Sequence, residues 1–291
     1  MRIRLGYEIV VTVPAPTPMV LMLNVRPEVL PSLTRPDTPF VSPDIETSTY
    51  TDVFGNTCVR LVAPPGTLTL SADTVRESDG SYDPVNHDAL QIPIEELPDD
   101  TLQFLLASRY CEVDLLGTFA WDTFGYTAPG WARVQAINDF AHKHITFGYH
   151  HARSTKTAMD VFNEKTGVCR DYQHLAVTLC RALGIPARYA TGYLGDIRRP
   201  ITPGPMDFSA WYQVWLDNRW WDFDARHNTP FIGRTLMAVG RDAADVALMT
   251  TFGRHSLDKF LVITDEIGEQ EPDATEAAWE GLTPDEQHRD S

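Results

Sequence analysis

The sequence lacks any run approaching the roughly 18 to 20 apolar residues that span a bilayer, so no membrane helix is expected. Positive charge is scarce: 24 Lys and Arg stand against 40 Asp and Glu, a formal net charge of −16. Nucleic-acid binding needs clustered cations to neutralise phosphates, and this balance argues against it. Only four cysteines occur, Cys58, Cys111, Cys169 and Cys180, with no CxxC pair among them. That removes support for a structural zinc site. A disulfide framework is equally unsupported in a long chain with no export signal. The opening residues, Met1 to Glu8, reach an acidic side chain too early for a signal peptide, so a cytoplasmic location is expected.

What is present suits a globular protein. A length of 291 residues with 43% hydrophobic content allows one large domain or two ordinary ones. Residues 1–95 read as a β-rich N-terminal domain. Strand-like runs fit Ile9–Val13, Met19–Val25, Thr57–Val62 and Thr67–Ser71, the last two joined by Pro64-Pro65-Gly66. From 96 to 264 the texture is mixed. A helix is expected from Leu97 to Arg109, with Asp99 or Asp100 as cap, and another from Ala132 to Ile145. A further segment begins near Thr157. Residues 265–291 hold ten Asp and Glu against Arg289 alone and read as an acidic, flexible tail with a short helix near 276–281.

The chemistry concentrates between Lys165 and Tyr189. Tyr172, Leu175, Ala176, Leu179 and Leu183 recur at helical spacing, Gly167 marks the start, and Gly184 with Pro186 marks the stop. Cys169 therefore falls in the first turn of an amphipathic helix. First-turn amides lack intrahelical partners and the helix dipole is positive there, which favours a thiolate and can hold an oxyanion. Cys180 lies on the same helix about 16 Å further on, at 1.5 Å per residue, and reads as core packing, as do Cys58 and Cys111. After the helix come strand-like stretches at 187–194, 209–216 and 219–224, with Asp217-Asn218 suited to a two-residue hairpin turn.

Gly167-Val168-Cys169-Arg170-Asp171-Tyr172, then Arg181 to Tyr189, then Ala210-Trp211 before a tryptophan-rich strand ending in Phe223-Asp224, resembles a bacterial transglutaminase-like family of cysteine-protease character. The resemblance covers residues 155–262. It implies an α+β, papain-like core, with the nucleophile helix packed on an antiparallel sheet behind the β-rich N-terminal domain. It also implies acyl transfer through a thioester on Cys169, with Asp224 as the acid that orients a base. The family's histidine sits immediately before Ala-Trp, and Ser209 stands in that place.

Register arithmetic agrees with this mapping. With Asp217-Asn218 as the turn, Leu216 faces Arg219 and Trp211 faces Asp224, so Ser209 lies diagonal to Asp224 on one face. Serine cannot shuttle a proton near neutral pH. His227 is the nearest substitute, but if the strand continued past Asp224 it would point to the opposite face. It becomes eligible only if the chain turns. His174 faces away from Cys169, and His150-His151 lie at an unspecified distance. A metal cluster of Asp207, Asp224 and His227 matches no named spacing, so no metal or cofactor is expected.

Two functions remain open. One is a cysteine-nucleophile amide hydrolase or acyl transferase acting on a peptide or protein amide, with Cys169, Asp224 and His227 as its catalytic residues. The other is a weak or inactive binding module that retains the fold.

Overall fold

The computed structural model describes residues 1–200 and 206–268. The chain opens with six strands: β1 (Arg2–Val13), β2 (Thr17–Leu21), β3 (Phe40–Ser42), β4 (Thr47–Thr51), β5 (Thr57–Ala63) and β6 (Gly66–Glu77). A helical region follows: α1 (Asp99–Leu102), α2 (Val113–Phe124), α3 (Trp131–His144), β7 (Thr146–Phe147), α4 (Ala158–Glu164), β8 (Thr166–Gly167) and α5 (Cys169–Ala182). The last part is again extended: β9 (Ala187–Tyr193), β10 (Ser209–Leu216), β11 (Arg219–Phe223), β12 (Thr235–Gly240), β13 (Met249–Thr251) and β14 (Ser256–Ile267).

Alternation builds the first layer. Along β1, Ile3, Leu5, Tyr7, Ile9, Val11 and Val13 are all buried at a period of two, as a sheet with one covered face requires. Two four-stranded sheets, ordered β14-β1-β6-β3 and β13-β2-β5-β4, share one apolar core. Both contain a strand from the end of the chain. Residues 249–267, assigned from sequence to the core and the start of the tail, complete the sheets of the N-terminal module. β14 pairs with β1 along Arg2↔Ile267 to Thr12↔Ser256, a match between sequence extremes that no local pattern reveals. The expected helix at 276–281 lies outside the described residues.

The second unit is the α+β core expected from the sequence. Its antiparallel sheet runs β11-β10-β9-β12, and α5 packs on it with α2, α3 and α4 around. Asp217 and Asn218 both have positive φ, 49° and 57°, and Leu216 pairs with Arg219 as the two-residue turn demands. Helix α5 departs from the amphipathic expectation, since every residue from Asp171 to Arg181 is buried. Its polar side chains survive burial by bonding: Arg181, for example, donates to the carbonyls of Ala187, Leu106 and Arg241.

That same guanidinium bears on another difference. The helix expected through Arg109 stops early: α1 is followed by a 3-10 turn at Gln103–Leu105, and Leu106 is extended with its carbonyl on Arg181. Neither Asp99 nor Asp100 caps it, because Pro98 occupies the cap position. Helix α2 was not anticipated, although Leu116, Ala120 and Phe124 recur every four residues on its buried side.

The two units are joined through side chains. The sandwich core includes Tyr193, Phe208, Ile232 and Met237 from the second unit. Asn56, fully buried, acts as a surrogate strand on the outer edge of β12, donating to the Val239 carbonyl at 2.8 Å and accepting from the Val239 amide at 2.9 Å. Asn56→Ala leaves both groups without a partner and is expected to cost about 2–4 kcal/mol. A urea melt of the variant measures this.

Candidate active site

The sheet ends at Phe223 and the chain turns at once: the Asn228 amide bonds the Asp224 carbonyl at 2.8 Å, and Asn228 takes a positive φ of 52°. The strand parity that would have pointed His227 away therefore does not apply. Inside the turn, Asp224 Oδ1 accepts from the amides of Arg226 (3.0 Å) and His227 (3.1 Å), and from Gln173 Nε2 (3.2 Å). Asp224 Oδ2 lies 2.9 Å from His227 Nδ1 and 3.7 Å from Arg234 Nη2. The expected pairing of Trp211 with Asp224 is not formed. The ladder stops at Tyr212↔Phe223, and the Trp211 indole donates to Asp222 instead.

Helix α3 holds the turn from behind. Asn138 Nδ2 donates to Asn228 Oδ1 at 2.7 Å, and Asn228 Nδ2 donates to Asp139 Oδ1 at 2.9 Å. Tyr212 donates its hydroxyl to Asn138 Oδ1 at 3.0 Å, and His142 Nδ1 donates to the Arg226 carbonyl at 2.9 Å. The His227 ring packs edge-on against Phe231, with centroids 4.8 Å apart. Its orientation is thus set by a carboxylate on one side and an aromatic ring on the other.

Cys169 begins α5. The local start is built by Asp171, whose Oδ2 accepts from the Val168 amide at 2.9 Å. Gly167 is required there because a Cβ would stand 2.8 Å from the same oxygen. Cys169 lines a cleft of about 460 Å³ together with Ser209, Arg226 and His227. Phe147, Tyr149, Phe208 and Phe231 add aromatic walls. A second cavity of about 300 Å³ touches Asp224, Asn228 and Arg234 but not Cys169 or His227, so the Cys169 thiol belongs to the first.

Electrostatics differ from the sequence expectation. Burial pushes the Cys169 thiol up to about 11; the Arg226 guanidinium and the Arg170 amide pull it down, but by less. The cost of desolvating a thiolate exceeds what the helix start returns, so the resting side chain is the neutral thiol. Asp224 shows the opposite outcome. Burial alone would raise its carboxyl, yet the bonds from His227 and the nearby Arg234 guanidinium hold it well below the usual carboxylate range.

The other candidates stay apart. Cys58, Cys111 and Cys180 are fully buried, and burial raises the thiols of Cys111 and Cys180. His174 stacks on Tyr110 and accepts from the Ala243 amide at 3.1 Å. His150 and His151 sit in a 3-10 turn with their rings 3.9 Å apart and do not line the cleft. Asp207 lines it, yet among the described residues no group of three or more His, Cys, Asp or Glu is placed to hold a metal. Sequence reasoning missed Gln173, Asn138, Asn228 and Arg234. Of these, only Gln173 carried a signal, four residues beyond Cys169 on the same helical face.

Residues 120–225 match the Transglutaminase-like superfamily. The crystal structure of a putative cysteine protease from Cytophaga hutchinsonii is 28% identical, with a TM-score of 0.80 over 94% of this chain and 93% of that one. Residues 120–225 therefore form a transglutaminase-like domain. The fold of the chain is the transglutaminase-like α+β core preceded by a β-rich region. The match to that structure runs through the sandwich as well as the core. Among sequence relatives, protein ML0607 of Mycobacterium leprae is 31% identical over 112 residues, which is 37% of this chain and 40% of that protein. Protein Rv2569c of Mycobacterium tuberculosis is 28% identical over 223 residues, covering 68% of this chain and 69% of the relative. No helix among the described residues is long and apolar enough to cross a membrane.

Two measurements follow. Iodoacetamide at neutral pH is expected to label Cys169 in the folded protein and leave the other three thiols intact, as peptide mass spectrometry would show. His174 is fully buried, and burial holds its imidazole well below the ordinary value. The unfolded chain therefore takes up a proton near pH 6.5 that the folded chain refuses, so stability falls as pH drops below about 6.5. His174→Gln should flatten that slope in thermal melts.

Proposed function

We propose that this transglutaminase-like chain is a cysteine-nucleophile amide hydrolase or acyl transferase acting on a peptide or protein amide. The observation that carries the reading is the His227–Asp224 pair at 2.9 Å, opening on the same cleft as Cys169. His227 takes the place of a histidine at 209, with Asp224 as its partner.

With the carboxylate accepting the Nδ1 proton, His227 Nε2 is left as the acceptor. Because the Cys169 thiol is neutral at rest, Nε2 removes its proton as sulfur attacks the carboxamide carbon. The first-turn amides of α5 receive the developing oxyanion. The tetrahedral intermediate collapses with cleavage of the C–N bond, and the His227 proton leaves with the amine. The resulting Cys169 thioester passes to water or to a second amine, His227 again accepting the incoming proton, and the free thiol is regenerated.

The test is activity on a casein or glutamine-peptide substrate, alongside iodoacetamide alkylation of Cys169 across pH. Cys169→Ala should abolish turnover, and His227→Ala should come within about tenfold of that loss, because members of such a set act as a unit. Cys180→Ala should retain most activity. In the wild type, His227 should make alkylation measurable well below the thiol's own value of about 11. If His227→Ala alkylates as fast as wild type while Ser209→His accelerates both alkylation and hydrolysis, the chain is instead a binding module that retains the groove.

A further inference from the structure

Gln173 lies four residues after Cys169, on the same face of α5, and is fully buried. Its amide makes three bonds to two other parts of the core. Nε2 donates to the Ala210 carbonyl of β10 at 3.1 Å and to Asp224 Oδ1 at 3.2 Å. Oε1 accepts from the Ala225 amide at 3.1 Å. This pattern fixes the sense of the amide. Rotated by half a turn, it would set oxygen against two acceptors and N–H against a donor.

We propose that Gln173 is a positioning residue that sets the His227–Asp224 pair against the thiol, an inference that rests on the reading of those three residues given above. The nucleophile and the acid are 55 positions apart in sequence, and Gln173 joins the helix of one directly to the turn of the other. With its N–H and those of Arg226 and His227, three donors converge on Oδ1, leaving Oδ2 to face His227 and Arg234. The carboxylate cannot rotate without breaking several bonds. A glutamate at 173 would keep the Ala225 bond but lose the donor. It would also place a second carboxylate against Asp224, favouring the protonated imidazole of His227.

The experiment compares iodoacetamide alkylation of Cys169 from about pH 5 to 9 in four full-length proteins: wild type, His227→Ala, Gln173→Glu and Gln173→Met, each checked for folding by thermal melt. Gln173→Met keeps the volume and removes all three bonds. It is expected to slow alkylation by on the order of 10- to 100-fold, the scale of losing near-attack alignment. Gln173→Glu is expected to shift the acidic limb of the profile upward by about one pH unit. A purely structural glutamine would lower the melting temperature and leave the limb where it is. If His227→Ala slows alkylation but both Gln173 variants keep the wild-type profile, this inference falls and the proposed function stands. Coincident profiles for wild type and His227→Ala would overturn the proposed function and this role with it. Should Gln173→Met fail to fold, Gln173→Glu, which retains the Ala225 bond, decides the matter through the position of the limb.

Discussion

A carboxylate buried at the end of a strand is costly unless its oxygens are bonded, and the arrangement around Asp224 is the answer to that constraint. Asp224 is about 4% exposed and is held ionised by donors from four directions: its own turn, the His227 ring, Gln173 on α5 and Arg234 just before β12. Each donor has a second task. The turn amides force the chain out of the sheet, the imidazole reaches the cleft, Gln173 anchors the helix that carries Cys169, and Arg234 also pairs with Asp83 at 3.1 Å. Satisfying one charge thereby sets the relative placement of the candidate residues.

The thiol sits in the opposite regime. Cys169 has the helix-start environment that stabilises thiolates, but desolvation by burial outweighs it, and Asp207 and Asp224 add to the upward push. A depressed carboxyl beside a raised thiol means that the site stores its negative charge on Asp224 and keeps sulfur neutral. The proposed reaction then needs a base as sulfur attacks, which is the physical reason that reading turns on a histidine near Asp224 more than it would in a site with a preformed thiolate.

The sandwich does more than precede the core. Its two sheets are each completed by a strand from the far end of the chain, and Thr264, Asp265 and Glu266 of β14 line the candidate cleft. Asn56 closes the outer edge of β12, the strand hydrogen-bonded to β9 and so one step from β10 with Ser209. The N-terminal module therefore forms part of the frame around the site and of its wall.

Much of this was legible locally. The 3.6-residue stripe from Tyr172 to Leu183, the alternation of 187–194 and 209–216, and the Asp217-Asn218 turn are short-range patterns, and each became the element it implied. The motif around Cys169 carried the fold family with it. What the sequence could not yield were the features decided by partners distant in the chain. The early end of α1 accompanies the use of Leu106's carbonyl by Arg181, and the full burial of α5 depends on α2, α3, α4, β9 and β10, gathered from across the core. The His227 question was of the same kind. Sequence determined that a histidine stood three residues after the acid, while tertiary structure decided that the chain would turn there, because α3 and Gln173 supply the hydrogen bonds that a continuing strand would have taken from a neighbour.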